Sequence, residues 1–327
     1  MYKPKFSVIL PNYLTPLDRF TSYGGEVKGA VELIDLCGKQ GVFQGVEMLL
    51  DDGPTGINPK NKAEVKAALE HNGLKLAGIL PITWSEEFAK GSLSSPDPKV
   101  RRKTLDLVKQ TMVLADELGS DYVGQWPGQD GWDFYFEVDY QKQYECWVTG
   151  MQELADYNPQ IRLGIEPKPF EPRAYSFIDT THKVLLLIKD IDRKNVGVTL
   201  DIGHSLYGHE SLAEAVALAQ MDQRLFHLHL NDNYGEMDWD LPFGSVHFIG
   251  LAEFFYWLKR TNYDGWHSVD IFPYRTDPAE TVLESQMWMQ AIYDLVDRAG
   301  DQQLEGLIQK SDGVAMQRFF RQLILGK

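Results

Sequence analysis

The sequence is poor in the features that would place it in several large protein classes. Its 327 residues hold two cysteines, Cys37 and Cys146, far apart in helix-like stretches. They offer no disulfide framework and read as buried thiols of a reducing compartment. Positive charge is scarce: 32 Lys and Arg against 47 Asp and Glu leave a formal charge of −15. That balance excludes the basic footprint that nucleic acid or an anionic membrane surface requires. No apolar run approaches membrane-spanning length, and the N-terminal MYKPKFSVIL lacks the long apolar core of a signal peptide, so a cytoplasmic location is expected. No Gly-rich dinucleotide fingerprint follows the first strand-like segment, nothing resembles a phosphate cradle, and no organic cofactor is expected.

What the chain has is a core and a rhythm. The apolar fraction of 43% and aromatic fraction of 12% suffice for a large interior. Short β-branched or aromatic runs followed by turn residues recur eight times. They are FSVIL from Phe6, GVEMLL from Gly45, LKLAGIL from Leu74, DYVGQW from Asp121, IRLGIEP from Ile161, VGVTLDI from Val196, LFHLHLN from Leu225 and WHSVDIF from Trp266. Segments with apolar residues at three- and four-residue spacing separate them, beginning at Glu26, Lys62, Val100, Val138, Asp179, Leu212, Leu251 and Thr281. Eightfold strand–helix alternation predicts an α/β fold, a (β/α)8 TIM barrel, over residues 1–300. An open doubly wound sheet is the competing architecture. Residues 301–327 exceed what a barrel needs, and their Leu, Ile and Phe residues predict a C-terminal helical extension packed on the barrel or on a neighbouring subunit.

Four successive strand candidates end in metal-ligand residue types. LGIEPKP carries Glu166 and Lys168; VTLDIGH carries Asp201 and His204; FHLHLNDNYGEMDWD carries His229, Asp238 and Asp240; WHSVDIFP carries Asp270. An unpaired acid closing a buried strand is costly, so four such endings imply a shared site. In a barrel the C-terminal strand ends converge, which brings Glu166, Asp201, His229 and Asp270 to one point. Three carboxylates and an imidazole suit Mg²⁺, Mn²⁺ or Co²⁺. Asp201 as a bridge, with His204, Asp238 and Asp240, makes a second set. Five carboxylates are balanced better by two divalent cations than by one. Taken singly, Asp238 and Asp240 are ordinary loop acids, His204 a capping residue, Lys168 an ion-paired lysine and Trp126 barrel packing; their placement at strand ends makes them a site. His227 and His229 are read as alternating, one facing the interior and the other a packed structural histidine.

These segments resemble the xylose isomerase-like family of TIM barrels. IEPKPFEP is similar to the family's strand-five segment with a ligand glutamate and a catalytic lysine, on Glu166 and Lys168 here. DIGH resembles the strand with a bridging carboxylate and a histidine, on Asp201 and His204. DWDLPFG resembles the DxDLxFG loop, placing second-metal ligands on Asp238 and Asp240. YDGWHSVDIFPYRT resembles the final strand, placing a first-metal ligand on Asp270. DYVGQWPGQDGWD resembles the segment whose tryptophan lines the sugar pocket, here Trp126. Xylose isomerases proper carry aspartate at the His229 position and glutamate at the Asp201 position; Glu, Asp, His, Asp is the first-metal set of the L-rhamnose isomerase branch. HLHLNDN also resembles ketose 3-epimerases, which use one metal and a final glutamate. The family's ring-opening histidine–aspartate pair has no match in GVEMLLDDGPTG. The resemblance implies a two-cation isomerase interconverting an unphosphorylated aldose and ketose, with Lys168, Glu166 and Asp270 catalytic and a homodimer or homotetramer as the assembly. A single-metal ketose 3-epimerase and a non-catalytic sugar-binding barrel are the competing readings.

Overall fold

The computed structural model describes residues 2–16, 18, 20–25 and 27–327. Eight parallel strands close a barrel: β1 Lys5–Ile9, β2 Gly45–Leu50, β3 Lys75–Pro81, β4 Tyr122–Gln125, β5 Arg162–Ile165, β6 Val196–Asp201, β7 Leu225–Leu230 and β8 Trp266–Val269. Closure comes from β1 pairing with both β2 and β8. Eight helices follow in alternation: α1 Ala30–Gln40, α2 Lys62–His71, α3 Pro98–Glu117, α4 Tyr140–Tyr157, α5 Thr181–Ile191, α6 Leu212–Met221, α7 Phe248–Arg260 and α8 Pro278–Ala299. An open sheet is thereby excluded. Glu26, the expected start of the first helix, lies outside the described residues.

All eight strand candidates are strands, and the differences sit at their ends. The ladders stop at Gln125, Ile165 and Val269, one to three residues earlier than expected. Beyond those points the chain turns outward, and this is where the polar residues begin. Two helices start earlier than expected: α3 and α8 begin at Pro98 and Pro278, because Asp97 and Asp277 cap them with side chains that accept backbone N–H groups. Thr180 and Ser211 cap α5 and α6 in the same way.

The tail is helical, as α9 Asp301–Lys310 and α10 Gly313–Leu325. Leu304 and Leu307 are buried, while every residue of α10 is at least partly exposed. No described helix is long and apolar enough to cross a membrane. Cys37 in α1 and Cys146 in α4 are both free.

The barrel interior is polar for a structure of this kind. Tyr122 lies across it, bonded to Thr199 Oγ1 at 2.5 Å and stacked on His227 at 4.3 Å. Two glycines make the room. A Cβ on Gly78 would lie 2.4 Å from Tyr122 Cδ1, and one on Gly164 would lie 2.3 Å from Thr199 Oγ1. Gly164→Ala is therefore expected to destabilise the fold by about 1–3 kcal/mol through overpacking. Gly306→Ala, in α9 with open space around its Cβ, is expected to stabilise by about 0.4–1 kcal/mol. Chemical denaturation of both variants checks the contrast.

Candidate metal centre

The C-terminal strand ends place every predicted residue except Asp201 on the lining of one cleft of about 400 Å³, and Asp201 lies buried behind it. Glu166 and Asp270 are the first residues beyond β5 and β8, and Asp201 ends β6 directly opposite His229 in the ladder. Asp201 also caps a short helix, Ile202–Tyr207, by accepting from His204 N at 3.0 Å. That turn swings His204 back towards Glu166. The loop after β7 is pinched by the backbone pair Asp232–Leu241, which delivers Asp238 and Asp240 to the same rim. Asp240 takes a left-handed backbone conformation with φ 49°.

Ligand-type atoms of Glu166, Asp201 and His204 lie within 4.8 Å of one another, as do those of Asp201, His229 and Asp270. Asp201 joins the two groups, and Asn231 Nδ2, 3.2 Å from both Asp201 oxygens and from Asp240 Oδ1, ties the second rim acid to it. Asp238 Oδ2 sits 2.8 Å from Lys168 Nζ and 3.3 Å from His204 Nε2.

Both histidines direct a nitrogen at carboxylates. His204 Nδ1 lies 3.1 Å from the Pro167 carbonyl, which can only accept, so Nδ1 carries hydrogen and Nε2 faces Asp238. His229 Nε2 lies 3.3 Å from Glu47 Oε1, so Nδ1 faces Glu166 Oε2 at 3.3 Å and Asp270 Oδ2 at 3.6 Å. The Glu166 Oε2–His229 Nδ1 geometry satisfies neither atom as a hydrogen bond. Imidazole nitrogens aimed at buried carboxylate oxygens call for positive charge between them. The donor set, oxygen-rich with two imidazoles, fits hard divalent cations.

The electrostatics among the site's own side chains carry the same message. Burial alone would depress His204, but Asp201 and Asp238 push it up to about 9. Burial opposes His229 too, yet Glu166 and Glu47 hold it well above its ordinary value. Burial, reinforced by neighbouring acids, raises Asp201 and Asp240, and takes Asp270 up to about 7. Asp238 and Glu166 move down despite burial: His204 and Lys168 hold the first, and His229 and His204 the second. Lys168 is raised, because Asp238, Asp240 and Glu171 outweigh its burial.

Trp126 lines the cleft, 5.4 Å from Lys168 Nζ across its ring and edge-on to Trp84 at 5.0 Å. Three participants carried no readable signal: Trp84, Asn231 and Glu47. Glu47 sits mid-strand in GVEMLL, a segment read for a histidine–aspartate pair; Asp51 and Asp52 beyond it do not line the cleft. With Glu47 and Lys168 both counted, the net side-chain charge before the histidines remains −5 (six carboxylates, one ammonium). The alternation expected of His227 and His229 is incorrect. Residues two apart on a strand share a face, and both rings point inward, in edge contact at 5.3 Å. His227 is fully buried and bonded to Glu47 at 2.7 Å.

A model of the xylose isomerase-like TIM barrel family matches residues 34–292. The chain belongs to this family. Xylose isomerase from Thermus thermophilus is 30% identical over 240 residues, covering 70% of this chain and 62% of that protein. The Thermus caldophilus xylose isomerase is 28% identical over the same shares. The chain thus spans 62% of the length of these curated relatives. A solved D-tagatose 3-epimerase-like protein matches with a TM-score of 0.70 at 22% identity, over 90% of this chain and 98% of that one. D-psicose 3-epimerase matches with a TM-score of 0.66 at 18% identity, over 88% and 99%. At these identities the structural likeness shows the shared fold.

Proposed function

We propose that this protein is a divalent-metal-dependent sugar isomerase that interconverts an unphosphorylated aldose and ketose by hydrogen transfer between C1 and C2. The observation that carries the reading is the joining of two ligand groups, Glu166–Asp201–His204 and Asp201–His229–Asp270, through Asp201; Glu166 faces the histidines of both, and Asp238 lies 3.3 Å from His204. Glu166, Asp201, His229 and Asp270 would hold one cation, and Asp201, His204, Asp238 and Asp240 a second, with Mn²⁺, Mg²⁺ or Co²⁺ as the suitable ions. Bound there, such cations supply Lewis acidity to the oxygens of an open-chain sugar. The donor pattern matches the L-rhamnose isomerase branch and departs from xylose isomerase at two ligand positions.

The protein's own groups complete the chemistry. Lys168 is buried, charged and held beside the rim acids, where it donates to O1 as negative charge develops. Asp270, at the rim of the cleft just beyond β8, is the group that takes a proton from carbon in an enediol route. Trp84 and Trp126 form an apolar wall against a sugar face. The anionic cleft disfavours a phosphorylated substrate.

A second reading, ketose 3-epimerisation, draws on one observation: Glu166 and Asp270 approach His229 Nδ1 together, at 3.3 and 3.6 Å, as a pair of acid–base carboxylates. Metal content separates the two. Two ions per chain, falling to one in Asp238→Ala with at least about 100-fold lower turnover, are expected of the isomerase; the fall follows the scale for losing one electrostatic group at a transition state. One tight ion and an indifferent Asp238→Ala point to the epimerase. An aldose and ketose panel on metal-reconstituted protein in D₂O identifies the reaction, with deuterium at C1 or C3 reporting proton transfer. An intact metal site with no product from any sugar would leave a binding barrel.

A further inference from the structure

Glu47 is a fully buried carboxylate in mid-strand β2 that does not line the cleft. It meets the cleft through His229, and an apolar side chain is the ordinary filling of a barrel interior. A buried charge kept there needs compensation and a reason. Compensation is complete: Oε2 accepts from His227 Nε2 at 2.7 Å and from Ser268 Oγ at 3.0 Å, and Oε1 faces His229 Nε2 at 3.3 Å. Ser7 Oγ donates to Ser268 Oγ at 3.1 Å, and His227 is stacked on Tyr122, so neither oxygen of Glu47 is free to swing.

We infer that Glu47 is a positioning residue that fixes the tautomer and ring direction of His229 for the cation held at the cleft. This rests on the metal-site reading above. An ionised carboxylate only accepts, so a histidine bonded to it keeps its proton on that side. His229 then carries hydrogen on Nε2 and turns the Nδ1 lone pair towards Glu166 Oε2 and Asp270 Oδ2. Outer partners of this kind set the orientation and basicity of a ligating imidazole. His227, one pleat earlier on the same face, anchors the other oxygen and keeps Glu47 from rotating away. Three ligand-type groups meet here, but they read as a hydrogen-bonded brace rather than a further ion site.

The test uses Co²⁺ as the probe on the full chain. Glu47→Gln keeps the shape but offers one histidine an amide donor where it had an acceptor. Co²⁺ affinity is expected to fall about 10–100-fold, with a changed visible absorption band. Val108→Ala, a buried truncation in α3 outside this hydrogen-bonded network, is expected to leave both unchanged. Should it lower affinity equally, the effect is general loosening and the positioning role fails. Wild-type affinity and an unaltered band in Glu47→Gln overturn it as well, as does an extra ion per chain that disappears in that variant. If wild-type protein binds no Co²⁺, the metal-site reading itself fails. A measurement without variants covers a misfolded Glu47→Gln: long-range ¹H–¹⁵N correlation of the Mg²⁺-loaded protein is expected to show His229 protonated at Nε2, and protonation at Nδ1 overturns the inference.

Discussion

Glu166→Gln is expected to remove divalent ions and turnover together. Its carboxylate lies between the two histidines, with Oε1 3.4 Å from His204 Nδ1 and Oε2 3.3 Å from His229 Nδ1. Glutamine preserves the volume and deletes a ligand charge that faces both histidines. Losing an outer partner of a metal ligand costs about 10–100-fold in affinity, so losing a ligand carboxylate is expected to exceed the upper figure. Metal titration and turnover on one preparation, with circular dichroism to show that the fold persists, make the comparison. Wild-type metal content with full activity would overturn the site assignment. Retained metal with lost activity would move Glu166 from ligand to acid–base group and favour epimerisation.

Lys168→Met is expected to leave the ions in place and lower kcat by about 10²–10³, the scale of losing one preorganised donor to a developing oxyanion. Lys168 Nζ is held 2.8 Å from Asp238 and 2.9 Å from Glu171. Its raised pKa keeps the ammonium charged through the neutral range. Methionine fills the same slot without a donor. Removing a cation beside Asp238 also lessens repulsion of a bound metal ion, so affinity should stay equal or tighten. A fall in kcat with little change in KM marks a group acting in the transition state. Unchanged rates would reduce Lys168 to an ion-pair partner of Asp238.

The split between legible and illegible residues has a physical basis. Glu166, Asp201, His229 and Asp270 could be read because each interrupts an apolar strand at its C-terminal end, where buried charge has no packing rationale. His204, Asp238 and Asp240 could be read from short spacings to those ends. Glu47 could not, because a lone acid in GVEMLL has no periodic or local signature. Its partners, His227, His229 and Ser268, lie 180 or more positions away in sequence. Asn231 and Trp84 also lack a local signature, although their partners lie nearer in the chain, 9 and 30 positions away for Asn231. The His227 error was of another kind, since strand parity alone places both rings inside.

Local sequence was enough for the eight strands, the helices and the barrel, because hydrophobic period, caps and turn residues act over a few positions. It also sufficed to propose the ligand types, since chemistry is a property of the residue. Barrel closure decided which nitrogen of each histidine faces the carboxylates, which glycines make room for Tyr122, and which buried acid braces the site. Those are distances between residues remote in the chain, and they exist only once β1 meets β8 and the interior is filled.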